Sequence, residues 1–245
     1  MKKTITLFFS IIVFFQLNAQ ISVLGGFSTF SADKWDTAMD LPTEGFVASP
    51  RSLTPFSNNI VFGLNYSIPI PNVGMRILPE LNYTKFSSEG WDDVTQDQER
   101  LDLNVDLTNI AFLINTNIYL FNLEGDCDCP TFGKEGGFFK KGFHIQGGPG
   151  VVYSRKKVEQ IHQAGSSFVS LEDADIQFAF VIGAGLDIGV SDKFTLTPFA
   201  RLKWIAAQEW SSLATTLENT IFIDDNSNSI SNIEVGVKLG FRYKN

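Results

Sequence analysis

Along 232–243, NIEVGVKLGFRY, apolar Ile233, Val235, Val237, Leu239, Phe241 and Tyr243 alternate with Glu234, Gly236, Lys238, Gly240 and Arg242. Successive side chains of an extended chain point to opposite faces, so this stretch predicts a strand with one apolar face. The same period of two runs through 175–190. There Ile176, Phe178, Phe180, Ile182, Leu186, Ile188 and Val190 oppose Asp175, Gln177, Gly183, Gly185 and Asp187. It recurs in 109–121, where Ile110, Phe112, Ile114, Ile118 and Leu120 oppose Asn109, Asn115 and Asn117. Weaker forms occupy 20–30, 59–68, 75–86, 143–153 and 194–205. The pattern therefore predicts eight strands of about 10–13 residues.

The connections alternate in length. Tight turns follow the second and sixth strands, at 69–74 (PIPNVG) and 191–193 (SDK). Long polar loops follow the first, third, fifth and seventh, at 31–58, 87–108, 154–174 and 206–231. Short turns at one end and long loops at the other are the layout of an outer-membrane barrel, whose strands need about 9–11 tilted residues and an apolar outer face. The expected fold is all-β, a single eight-stranded antiparallel transmembrane β-barrel. A soluble sandwich shares the alternation but has no reason to keep its long loops at one end. It also has no need for aromatics near both strand ends, where membrane interfaces lie: Phe121, Phe143, Phe194, Phe241 and Tyr243 at one, Tyr83, Phe86, Tyr153, Phe178 and Trp204 at the other.

The amino terminus adds a compartment. Lys2 and Lys3 precede an apolar run from Ile5 to Phe15, and Gln16-Leu17-Asn18 leads to the small Ala19. This is the form of a secretory signal peptide, 1–19, too short for a spanning helix, leaving 20–245 as a single barrel domain. No other apolar run is long enough to span as a helix. A formal net charge of −8 argues against a nucleic-acid partner.

Alternation sends Arg76, Glu80, Asn82, Asn115, Gln146, Asp187, Arg201, Lys203, Glu234 and Lys238 inward. An eight-stranded barrel is just wide enough for side chains to fill. The expected interior is a plug of ion pairs and hydrogen bonds, with a narrow ion pathway or small-solute porin as the alternative. A barrel enzyme would need a nucleophile beside His144, near the turn end of the fifth strand, or beside His162, in the loop 154–174. Ser166, Ser167 and Glu159 lie near His162, but a solvated loop histidine is the ordinary explanation, and no catalytic residue, metal or cofactor is expected. The loops 87–108 and 206–231 are acidic, yet 91-WDDVTQDQE-99 lacks the ligand spacing of a calcium loop, so a solvated face is expected.

With the amino terminus in the periplasm, the turn 122–142 also lies there, and it is long where its siblings have three to six residues. It holds both cysteines, Cys127 and Cys129. In an oxidising periplasm the expected chemistry is a local disulfide between them, strained and contributing little stability because the ring is so short. A metal site with Asp126, Asp128 or His144 lacks a second cysteine pair. Thiols that bridge to another protein are the third reading. Phe132, Lys140 and Lys141, with Asp126 and Asp128, are candidates for docking a periplasmic or secretion-system protein.

The signal ending Asn18-Ala19-Gln20, the eight-strand layout, 77-ILPELNYT-84 and the ending 236-GVKLGFRYKN-245 resemble the small outer-membrane β-barrel proteins of Bacteroidetes, the porin-family or PorT-like group. The resemblance implies a Gram-negative outer membrane, lipid as surroundings, and the barrel-assembly machinery as a partner during biogenesis. A structural or interaction role is expected from the packed lumen, the acidic loops and the long turn 122–142, and the resemblance adds a secretion machinery as one setting. Lys244 and Asn245 after the last aromatic depart from the usual ending of that group, which bears on recognition by the assembly machinery.

Overall fold

A computed structural model describes residues 20–32, 52–53, 56, 59–70, 73–93, 100–120, 142–162, 168–191, 193–209 and 227–242. The expected signal peptide 1–19 and the cysteine turn lie outside the described residues. The strands are β1 (Gln20–Ser28), β2 (Ser52–Leu53), β3 (Asn59–Ile70), β4 (Met75–Asp93), β5 (Arg100–Ile118), β6 (Phe143–His162), β7 (Phe168–Leu186), β8 (Ile188–Gly189), β9 (Phe194–Glu209) and β10 (Ser227–Arg242). Every pairing among them is antiparallel. The order runs β1-β3-β4-β5-β6-β7-β9-β10, and β10 pairs with both β9 and β1, so the ladder returns to its start. Dipeptides β2 and β8 pair with β4 and β9 outside that path.

Alternation decides which face each residue takes. Ile21, Val23, Phe62, Leu64, Phe112, Ile114, Phe178, Phe180, Val235 and Leu239 point outward and are exposed, while their neighbours in sequence are largely buried in the interior. Closing so few strands demands tight curvature, and inward glycines permit it. A Cβ on Gly148 would sit 2.1 Å from the Ile114 carbonyl oxygen, and one on Gly26 2.4 Å from that of Val235. The turn between β3 and β4 ends at Gly74, whose φ of 61° is left-handed.

The ladders are longer than the alternation predicts. Loops expected at 87–108 and 154–174 are largely strand: β4 and β5 stay paired to Asp93↔Arg100, and β6 and β7 to Ile161↔Phe168. The alternation does not stop there; it inverts. In the central band of the strands, the belt, large apolar residues face out, and the inward residues are polar or, as at Leu113 and Val181, apolar. Beyond it Phe86, Val105, Leu107 and Val158 are buried, while Lys85, Asp106, Arg155 and Lys157 point out. The polar face changes sides there, so the period-2 signal loses its phase.

Phe86 is corrected on the same ground. It was expected among the interfacial aromatics, but it is fully buried and packs against Phe30 (5.1 Å between ring centroids) and Phe56 (6.5 Å). Tyr83, Tyr153, Phe178 and Trp204 do lie on the outer face at that end. Phe194 and Phe241 meet edge to face at 5.1 Å at the other. Phe121 and Tyr243 lie outside the described residues.

Candidate functional site

The inward faces of β4, β9 and β10 build a charged cluster at mid-height. Arg201 lies opposite Glu234 in the β9–β10 register, and Lys203 is two residues along on the same face. The Arg201 guanidinium reaches Glu234 Oε2 from Nε at 2.6 Å and Glu80 Oε1 at 2.6 Å. Lys203 Nζ is 2.5 Å from Glu234 Oε1. Lys238 Nζ donates to Gln146 Oε1 across the interior at 2.9 Å and lies 3.8 Å from Glu80 Oε2. Asn82 and Asn115 donate to the two oxygens of Glu80 at 3.0 and 3.4 Å. The Arg201 and Lys238 cations also sit over the Phe199 ring, 5.2 and 5.0 Å from its centroid. Glu80 is thus held by cations and amides and Glu234 by two cations, the condition under which buried charges persist.

A second network closes the tight-turn end. Asp187 accepts from Tyr119 Oη at 2.5 Å and from Thr197 Oγ1 at 2.6 Å, with Arg76 3.9 Å away. Arg76 donates to Gln20 at 3.4 Å and lies over the Tyr119 ring. His144 is fully buried, with Nδ1 3.2 Å from the Gly142 carbonyl oxygen and 3.9 Å from Asp187. Its Nε2, the atom a general base would offer to a nucleophile, makes no hydrogen bond among the described residues and faces the Gly185 backbone.

Toward the long-loop end the interior turns apolar. Ala111, Leu113, Val152, Ala179, Val181 and Ile205 form a buried layer continuous with Phe86 and Leu107. Leu24, Val61 and Phe199 form a smaller cluster. A polar group is set into the large one. Ser154 Oγ donates to Asn109 at 2.7 Å and accepts from Gln208 at 2.5 Å. Lys156 pairs with Asp175 at 2.9 Å and also bonds the Glu209 carbonyl oxygen.

The residues singled out by alternation therefore fall into two groups. Glu80, Asn115, Arg201, Lys203, Glu234 and Lys238 meet at mid-height, whereas Arg76 and Asp187 belong to the network at the tight-turn end. Cys127, Cys129, Asp126, Asp128, Phe132, Lys140 and Lys141 lie outside the described residues. His162 ends β6, opposite Leu101, rather than lying in a loop, at the other end of that strand from His144. Tyr119, Thr197 and Lys156 were missed. Tyr119 continues the inward phase of Asn115 and Asn117, and Lys156 that of Val152 and Ser154, so phase alone could have found both. Among the described residues no group of three His, Cys, Asp or Glu could hold a metal ion.

No protein-family model matches the chain, and no curated protein matches it in sequence. Among solved structures it is similar to Ail, the attachment invasion locus protein of Yersinia pestis, crystallised with the heparin analogue sucrose octasulfate. Identity is 12% and the TM-score 0.42, over 92% of this chain and 99% of that one. It is similar to the outer membrane protein OprG of Pseudomonas aeruginosa, with 11% identity and a TM-score of 0.42 over 94% and 98%. It is also similar to the outer membrane protease OmpT of Escherichia coli, with 8% identity and a TM-score of 0.43 over 92% and 97%.

Proposed function

We propose that the chain is a single eight-stranded β-barrel of the bacterial outer membrane, exported by its signal peptide, with a plugged interior and a structural or interaction role. The observation that carries this reading is an inversion of the soluble pattern. Large apolar side chains are exposed on every long strand of a closed ladder, while Glu80, Arg201, Lys203 and Glu234 are buried within it. Only a lipid exterior makes both choices favourable, and a closed ladder leaves no unpaired edge for the hydrocarbon. Among the described residues the interior carries two kinds of layer, ion-paired and apolar, which supports a plug. A non-catalytic role is supported by the closed surroundings of His144.

The partners we propose are the surrounding lipid and, during biogenesis, the barrel-assembly machinery. The turn 122–142 joins two strands at the tight-turn end and is the proposed docking point for a periplasmic or secretion-system protein.

Trp204 tests the membrane placement, because it is outward and exposed on β9. In vesicles with brominated acyl chains its fluorescence should be quenched relative to a Trp204→Phe control. A chain that stays monomeric in water without detergent, with Trp204 unquenched, contradicts the reading.

A further inference from the structure

Above the belt, β4 to β7 continue as a four-stranded wall whose outward residues fall into rows fixed by the register. The last belt row is Tyr83↔Ile110↔Tyr153↔Ile176. The next is Lys85↔Thr108↔Arg155↔Ala174, then Ser87↔Asp106↔Lys157↔Glu172, then Glu89↔Asn104↔Glu159↔Ser170. Formal charge changes sign along these rows. The first carries two cations and no acid; the second sets Lys157 against Asp106 and Glu172; the third carries two acids.

Each row is two residues, about 6–7 Å, further along the strand. The headgroup region adds roughly 5–8 Å to each side of the hydrocarbon. The first row beyond Tyr83 and Tyr153 is therefore at headgroup depth. Its cations are braced by carboxylates: Lys85 Nζ is 2.9 Å from Asp106, and Arg155 is held by Glu172 through Nε and a terminal nitrogen at 2.6 and 2.7 Å. A guanidinium has five donors and an ammonium three, so these pairings fix the cations without exhausting them. Between them on β5 stands the small Thr108.

We propose that Lys85 and Arg155, flanking Thr108, hold the phosphate group of an outer-leaflet lipid. The charge order selects the lipid over a soluble anion. A phosphate arriving from water meets the acidic outer row first, whereas a lipid phosphate enters from the bilayer side at the cationic row. The proposal rests on the membrane-barrel reading above.

The test is native mass spectrometry of the full chain released from micelles containing lipid A or its dephosphorylated form. Wild type should retain lipid A at least tenfold better than the dephosphorylated lipid, and K85Q/R155Q should lose that preference, while K193Q at the opposite end keeps it. If the double variant does not fold, T108L, which fills the gap with both charges in place, should lose the preference. Equal retention of lipid A by wild type and variants overturns the proposal. So does equal retention of the dephosphorylated lipid, or displacement of lipid A by millimolar inorganic phosphate. A wild-type chain that inserts into bilayers but shows no preference removes only this site; one that fails to insert removes the barrel reading with it.

Discussion

Replacing Arg201 by methionine should be among the most damaging single changes in the protein. Its guanidinium joins Glu80 and Glu234, each at 2.6 Å, and all three groups are essentially inaccessible. A unit-charge pair about 4 Å apart is worth roughly 4 kcal/mol at an effective dielectric near 20, and desolvation offsets much of that while the pair is intact. Removing one partner leaves the desolvation without the attraction, so Arg201→Met should cost about 3–5 kcal/mol. Glu80 suffers most, because Glu234 keeps Lys203 at 2.5 Å while the remaining cation near Glu80, Lys238, is 3.8 Å away. Adding Glu80→Gln to Arg201→Met should therefore recover stability, with a coupling of at least about 1 kcal/mol. Urea unfolding from lipid vesicles, followed by tryptophan fluorescence, measures both quantities. A single variant within about 1 kcal/mol of wild type would refute the reasoning, since that is the behaviour of hydrated surface pairs. Strict additivity in the double variant would refute it as well.

Leu113→Ala removes a fully buried side chain from the apolar layer and should cost about 2–5 kcal/mol in the same assay, whereas Leu81→Ala on the exposed outer face should cost clearly less. Gly148→Ala places a methyl 2.1 Å from the Ile114 carbonyl oxygen and should destabilise by about 1–3 kcal/mol, while Gly25→Ala, with nothing within 4 Å, should be within about 1 kcal/mol of wild type; the fraction of folded, heat-modifiable protein on gels reports the contrast. Glu172 lies beyond the belt, and its hydrogen bond to Arg155 holds its carboxyl below the usual value of 4.5. A depressed native value means that this pair stabilises the fold above the unfolded value and that its contribution is lost as pH falls through the native one. The Glu172 carboxyl carbon shift should accordingly titrate below 4.5 in wild type and return toward 4.5 in Arg155→Gln; an unchanged midpoint contradicts the pairing.

Much of the wall was legible because one physical rule writes it. With lipid outside and a crowded interior, residues such as Ile110, Phe112 and Ile114 must alternate with Asn109, Asn115 and Asn117. The rule fails where its cause changes. At Lys85 and Arg155, where the proposed bilayer contact ends, the polar residues move outward, and Phe86, Leu107 and Val158 become core. Read with the belt's phase, those stretches look like loops, and Phe86 looks interfacial. The grouping inside was less accessible, because alternation gives a side but not a height. Whether Asp187 meets Arg201 or Tyr119 depends on strand stagger, which single-strand patterns do not carry. The apolar layer of Leu113, Val152 and Val181 was hidden for a simpler reason: each lies between two outward apolar residues, so all read as belt.

A plugged outer-membrane barrel makes its sharpest statement about ions. The measurement that addresses it most directly is a planar-bilayer recording of the refolded full chain at high salt. The proposed plug, the ion-paired cluster around Arg201 with the apolar layer around Leu113 beyond it, predicts a folded, inserted protein with no steady conductance. Large, stable, nanosiemens-scale openings from the same preparation would contradict it.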